Sequence, residues 1–145
     1  MQIIKICNKE YPINCNAFSR FQYKKIFGTG IFADIKILNE FSEKQNEIRD
    51  RMEKQKKTEE EIQKEINSTM LENLDDFIDV IEKITYILIY TANPQIETFE
   101  KWLKEIEKID LSDNWVSEVT ELAVNSLSTK WINGKFRYLT NPIIA

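Results

Sequence analysis

Histidine is absent from this 145-residue chain, which removes the side chain most often used for general acid and base work near neutral pH and the commonest metal ligand. Nucleophile chemistry built on a histidine base is therefore excluded, and no serine–lysine dyad is recognisable. The two cysteines, Cys7 and Cys15, are too few and too close for a disulfide framework or a four-ligand zinc site, so they read as small buried thiols. The longest apolar stretch, residues 84–90, is far short of a membrane span, and no charged-then-apolar signal region opens the chain. Cytoplasmic residence is the expectation. A net charge of -4 argues against general attraction to nucleic acid or to anionic lipid, because either needs a basic face. Neither partner is expected.

What is present fits one domain with a real hydrophobic core. Ile3-Ile4-Lys5-Ile6, Cys7-Asn8-Lys9-Glu10 and Tyr11-Pro12-Ile13 read as a β-hairpin whose turn lets Asn8 take positive φ. Asn16 then suits a helix N-cap, with Phe18, Phe21 and Ile26 or Phe27 as apolar contacts until Gly28-Thr29-Gly30 interrupts. A second short helix carries Ile31, Ile35 and Leu38.

Residues 42–66 hold eight acidic and seven basic side chains, with Ile48, Met52, Ile62 and Ile66 as their main apolar points. That is a solvated helical arm. Its seam is heptad-like, but Gln55 and Glu59 occupy two seam positions, which counts against a long coiled coil. Thr58 followed by Glu61 matches a capping box, so a break near Lys57 and a helical hairpin are expected.

Met70, Leu74, Phe77, Ile78, Ile81, Thr85 and Leu88 lay an apolar stripe along a central core helix that ends before Asn93-Pro94. Its last turns add Tyr86, Ile87, Ile89 and Tyr90, so that end is either enclosed or a contact surface. Asn93 as cap and Pro94 in the first turn would open the next helix, bearing Ile96, Phe99, Trp102, Leu103 and Ile106. Ser112 would open a last one with Trp115, Val116, Val119, Leu122, Ala123 and Leu127, the two helices packing as a pair. Residues 131–136 hold a hairpin-like Asn133-Gly134.

Three constellations invite chemistry. Gly28-Thr29-Gly30-Ile31-Phe32-Ala33 formally fits a dinucleotide fingerprint, but it follows a helical pattern where that fingerprint needs a buried strand, so it reads as a helix-ending turn. Glu72, Asp75, Asp76 and Asp79 crowd one sector of the core helix, and Asp75 and Asp79 stand one turn apart, yet no third ligand element accompanies them. A hydrated outer face is the reading. Arg20, Lys24 and Lys25 among Phe18, Phe21, Tyr23 and Phe27, and Lys130, Lys135 and Arg137 among Trp131, Phe136 and Tyr138, mix charges with rings as base-stacking surfaces do. Aromatic core with lysine stems at its edge explains both more simply. No catalytic residue, cofactor or metal is assigned. The best candidates for partner binding are Tyr86, Ile89, Tyr90, Phe99, Trp102, Trp115, Val119 and Leu122, because large apolar side chains at helical spacing can anchor another helix, a second copy included.

The expected fold is mainly α (α+β), an N-terminal β-hairpin followed by a helical domain with a charged helical arm. Residues 1–127 form one domain, with the arm at 42–66 inserted and 128–145 as a C-terminal tail with a short hairpin. Lys5-Ile6-Cys7-Asn8-Lys9-Glu10-Tyr11, Phe99-Glu100-Lys101-Trp102-Leu103 and Asn114-Trp115-Val116-Ser117-Glu118-Val119-Thr120-Glu121-Leu122-Ala123 carry a further likeness. Over the first 40 or so residues and about 70–127, the chain resembles the tail assembly chaperones of long-tailed phages of Gram-positive bacteria. Related sequences often have Asn-Gly in the first turn where this one has Cys7-Asn8. The resemblance implies a non-enzymatic protein of the host cytoplasm that binds and solubilises the tape measure protein and helps recruit tail tube subunits. Such chaperones leave before the virion is complete, and the family commonly makes a longer product by frameshifting. A small regulatory adaptor or antitoxin-like protein, pairing with its partner through the charged arm, is the alternative.

Overall fold

The computed structural model describes residues 2–127. Two strands, β1 (Gln2–Ile6) and β2 (Lys9–Ile13), are followed by five helices: α1 (Ala17–Phe27), α2 (Ile31–Lys54), α3 (Glu59–Ala92), α4 (Phe99–Glu105) and α5 (Asn114–Leu127). The protein is thus mainly α with an N-terminal β-hairpin. The tail at 128–145, with its Asn133-Gly134 turn, lies outside the described residues.

Alternation builds the hairpin: Ile4, Ile6, Tyr11 and Ile13 are buried while Ile3 and Lys5 face out, as a strand with one covered face requires. Ile4 pairs with Tyr11 and Ile6 with Lys9, antiparallel. Cys7 and Asn8 both have positive φ, 49° and 68°, which closes the hairpin with the twist its strands need. Cys7 is exposed there, contrary to its reading as a buried thiol, because a turn tip has no core to enter. Cys15 is half-buried. The Asn14 amide donates to the Leu88 carbonyl at 3.1 Å and ties the end of β2 to α3.

Asn16 caps α1 by accepting from the Phe18 amide at 2.9 Å, and its own amide donates to Ser19 Oγ at 3.1 Å. Gly28 ends the helix in the left-handed region at φ 80° with its amide on the Lys24 carbonyl, the conformation glycine adopts without a Cβ penalty. The Gly28-Thr29-Gly30 segment therefore joins two helices. Where a short second helix was expected, α2 runs on for 24 residues and supplies the first half of the arm. The core helix is likewise continuous with the second half, giving α3 its 34 residues. The chain reverses between Gln55 and Thr58, whose side chain accepts from the Glu61 amide.

The arm is thus an antiparallel helical hairpin with its own core of Phe41, Ile48, Met52, Ile62, Ile66 and Met70. Gln55 and Glu59 fall at the reversal, where no seam is needed. The main core gathers the buried faces of β1, β2, α1, α2, α3 and α5 around α3, and Ile81, Ile84, Ile87 and Leu88 are fully enclosed. That settles the apolar end of α3 as interior. Asn93-Pro94 forms a turn, with the Ile96 amide on the Asn93 carbonyl, and α4 begins only at Phe99 behind a Thr98 cap. Ile96 and Ile106 consequently lie outside it. Nor do α4 and α5 pack as a pair: α5 rests on α3 and β1. Among the described residues, no helix is long and apolar enough to cross a membrane.

Candidate partner-binding surfaces

Of the eight residues chosen from sequence as partner anchors, five are core. Trp102 and Val119 are fully buried, and Tyr86, Ile89 and Trp115 nearly so. Tyr90, Phe99 and Leu122 are half-buried against the same core. The physical reason is an aromatic cluster that closes on itself. Trp102 meets Tyr86 at 5.7 Å, Phe99 at 6.2 Å and Tyr11 at 6.4 Å between ring centroids, and Tyr86 meets Phe99 at 5.3 Å. Short α4 is held to the domain by that contact. These side chains hold the fold together, and a partner cannot reach the buried five without opening it.

Polar groups inside the core are satisfied locally. Ser19 and Thr91 share a hydrogen bond at 2.7 Å between α1 and α3. Thr85 and Thr120 donate to the carbonyls of Ile81 and Val116 one turn back. Tyr23 Oη donates to Asp34 Oδ2 at 2.5 Å, and Thr29 Oγ1 donates to the same oxygen at 2.9 Å. Burial, together with Asp34, pushes the Tyr23 phenol far above its ordinary range. Burial also raises the Cys15 thiol to about 11, which suppresses the nucleophilic thiolate. The indole N–H of Trp102 has no hydrogen-bond partner among the described residues.

Two surfaces that expose large apolar side chains or an apolar groove stand out among the described residues. The first is a groove of about 340 Å³ where α2 and α3 meet the segment before α5 and its first turns. Phe41, Phe77, Ile81, Leu111 and Val116 give it an apolar floor, with buried Thr120 beneath; Ser42, Gln45, Ser112 and Ser117 give it a neutral polar rim, with Asp113 as its one charged group. The Ser117 hydroxyl already donates to the Asn114 carbonyl, so what it offers a visitor is acceptor capacity. Along α3, Leu74 and Leu71 stand three and six residues before Phe77, and Leu71 is 65% exposed. By helical spacing they continue an apolar track from the groove toward the arm.

The second surface is the outer side of α1. Phe18 and Phe21 stack there with centroids 6.4 Å apart and remain 46% and 59% exposed. The sequence reading of these rings as core holds for Tyr23, which is buried, and in part for Phe27, but not for this pair. Helical geometry separates them: Ser19 and Tyr23, four apart, face inward, and that turns Phe18 and Phe21 out. Glu72, Asp75, Asp76 and Asp79 are all exposed on α3, as a hydrated outer face would be. Among the described residues, no group of three or more carboxylates or thiols is placed to hold a metal ion.

No family model, curated protein or solved structure matches this chain. The reading of its surfaces therefore stands on their geometry. A groove with an apolar floor and a rim that carries Asp113 as its one charged group is suited to burying apolar side chains of a partner.

Sequence reasoning missed the groove. The signal lay in Phe41, which falls between the short second helix and the arm as read from sequence and was placed in neither; once α2 is continued through Phe41, its ring becomes the neighbour of Phe77 across a helical hairpin.

Proposed function

We propose that this chain is a non-enzymatic assembly chaperone that binds an amphipathic helix of a longer protein, with the tape measure protein of a long-tailed phage as its client. The observation that carries the helix-binding part is the groove beside Phe41 and Phe77, continued by Leu74 and Leu71 on α3. Anchors spaced three or four residues apart on a client helix suit such a track. Each buried leucine-sized anchor contributes about 1.5–3 kcal/mol, offset by the cost of association, so a few anchors give roughly micromolar binding. Reversible binding of that strength suits a chaperone that must release its client. The identity of the client rests on the resemblance in the hairpin, in Phe99–Leu103 and in Asn114–Ala123. Action in the host cytoplasm and recruitment of tail tube subunits rest on the same resemblance.

The adaptor reading needs an arm with a free seam. In this fold Ile48, Met52, Ile62, Ile66 and Met70 fill that seam from within. The chaperone is therefore the preferred reading.

Coexpression with the tape measure protein of its own gene neighbourhood tests the proposal. The client should become soluble and copurify with the chain, and Gln45→Arg with Ser117→Arg, on the groove rim, should abolish copurification without lowering the melting temperature. Absence of any complex with the wild-type chain would overturn the chaperone role. A complex indifferent to the rim variants but lost on removal of the arm would favour the adaptor.

A further inference from the structure

We propose that two copies of this chain associate through α1, the Phe18–Phe21 edge of each entering a notch between α2 and α3 of the other. Phe41 lies at the base of both sites, but every other residue lining this notch differs from those of the client groove, so variants at those other positions test the contact separately from the chaperone reading.

Charge is the first argument. Helix α1 contains Arg20, Lys24 and Lys25 and no acidic residue, within a chain whose net charge is -4. All three cations are exposed, and none makes an ion pair among the described residues. The outer face of α3 is the reverse, with Glu72, Asp75, Asp76 and Asp79 exposed and likewise unpaired. Crowding among acids on this helix is visible at Glu82, whose carboxyl is raised above its ordinary value by burial and then by Asp79. Among the described residues, each face lacks the counter-charge that the other carries.

Shape is the second. Beside the acidic face, Ile37, Glu40, Phe41, Lys44, Asn73 and Asp76 line a notch of about 300 Å³. Ile37 and Phe41 are its apolar lining among four polar or charged residues, and Ile37 remains 36% exposed. One aromatic edge fits such a space, with Arg20, Lys24 and Lys25 left over Asp76 and its neighbours. Lys44 and the Lys36–Glu40 ion pair, at 3.9 Å, bound the far rim and set which way the incoming helix lies.

Placement is the third. Lys83 Nζ sits 5.8 Å from the centre of the Phe27 ring at the end of α1. Asp76 precedes Lys83 by seven residues, two helical turns along the same face. Helix α1 and the notch thus share one side of α3. A patch and its complement on one side of a molecule can meet their copies twice across a two-fold axis, which closes the assembly as a dimer.

Sedimentation velocity of the full chain over a range of concentrations tests this. Wild type should pass from monomer to dimer, with association weakened at least about tenfold when salt rises from about 0.05 M to about 0.5 M. Lys24→Glu with Lys25→Glu, and separately Asp76→Lys with Asp79→Lys, should each leave a folded monomer with an unchanged helical spectrum. Mixing the two variants should restore a dimer, because each then meets the opposite charge. Phe18→Ser with Phe21→Ser should weaken association at any salt. A wild type that stays monomeric, a dimer indifferent to both charge reversals, or folded variants that fail to associate when mixed would each overturn the proposal.

Discussion

Phe41 of α2 and Phe77 of α3 stack with ring centroids 4.3 Å apart and planes tilted by 34°, at the point where the core of the arm meets that of the domain. Phe41 belongs to the arm cluster, and Phe77 packs against both clusters. The pair also floors the groove proposed for the client. One contact therefore couples arm, domain and groove. Phe41→Ala should lower the unfolding free energy by about 3 kcal/mol, as deletion of a buried ring does. Hydrogen exchange should show the arm losing more protection than the segment around Ile84 and Ile87, because the arm loses its link to the larger core. Equal loss in both places would mean that the two clusters unfold as one.

Because the arm cluster is closed within one helical hairpin, the domain should survive its removal. Phe41 lies opposite Phe77, and antiparallel pairing then brings position 45 close to position 73. Replacing residues 45–73 with a short glycine-containing turn should leave a chain with a cooperative thermal transition and with Trp102 and Trp115 fluorescing from an apolar setting. Loss of that transition would show that the arm is integral to the core.

The buried link between α1 and α2 gives a signed pH dependence. Tyr23 and Cys15 both have folded-state pKa values raised above their ordinary ones, the thiol to about 11 from 9.0 and the phenol upward from 10.0. Folding therefore favours their protonated forms, and the unfolded chain releases those protons first as pH rises. Stability from these groups is complete below about pH 9 and falls as pH climbs from there through 11. Urea melts from neutral pH upward should show the fall. Cys15→Ala should flatten its early part and Tyr23→Phe its later part. The phenylalanine variant should also cost about 2 kcal/mol at neutral pH, since buried Asp34 loses one of its two donors. A flat profile in wild type would refute the assignment.

Local features of the fold were legible from residues near one another in the chain. The hairpin, the Asn16 cap, the Gly28 stop and the Thr58 reversal each depend on hydrogen bonds or φ values settled within about four residues. The length of α2 was hidden, because the charged side chains of 42–54 mask a seam of Phe41, Ile48 and Met52 whose partner lies on α3. Asn93-Pro94 fits a helix start by composition, yet the Thr98 hydroxyl accepts from the Lys101 amide at 3.4 Å, and the helix begins behind that later cap. Five of the eight candidate anchors are core for a related reason. An apolar stripe such as Trp115, Val119 and Leu122 has the same spacing whether it meets the chain's own core or a partner. Only the tertiary arrangement showed that α5 uses this stripe on α3 and β1, leaving Phe18, Phe21 and Leu71 outside.

The turn of the first hairpin offers a gain in stability. Cys7 holds φ 49° and Asn8 φ 68°, and a left-handed conformation costs a side-chain-bearing residue about 1–2 kcal/mol, less for asparagine, which hydrogen-bonds locally. Two-residue turns with positive φ at both positions favour Asn-Gly. Cys7→Asn combined with Asn8→Gly should thus raise the unfolding free energy by about 1 kcal/mol, despite loss of the weak contact from Cys7 Sγ to the Lys108 carbonyl at 3.4 Å. The exposed Cys7 thiol should also be the faster of the two cysteines to alkylate, with half-buried Cys15 held back by its raised pKa. Mass spectrometry during brief labelling distinguishes the two sites. A double variant less stable than wild type would mean that the Lys108 contact outweighs the turn strain, making the loop after α4 a brace for the hairpin.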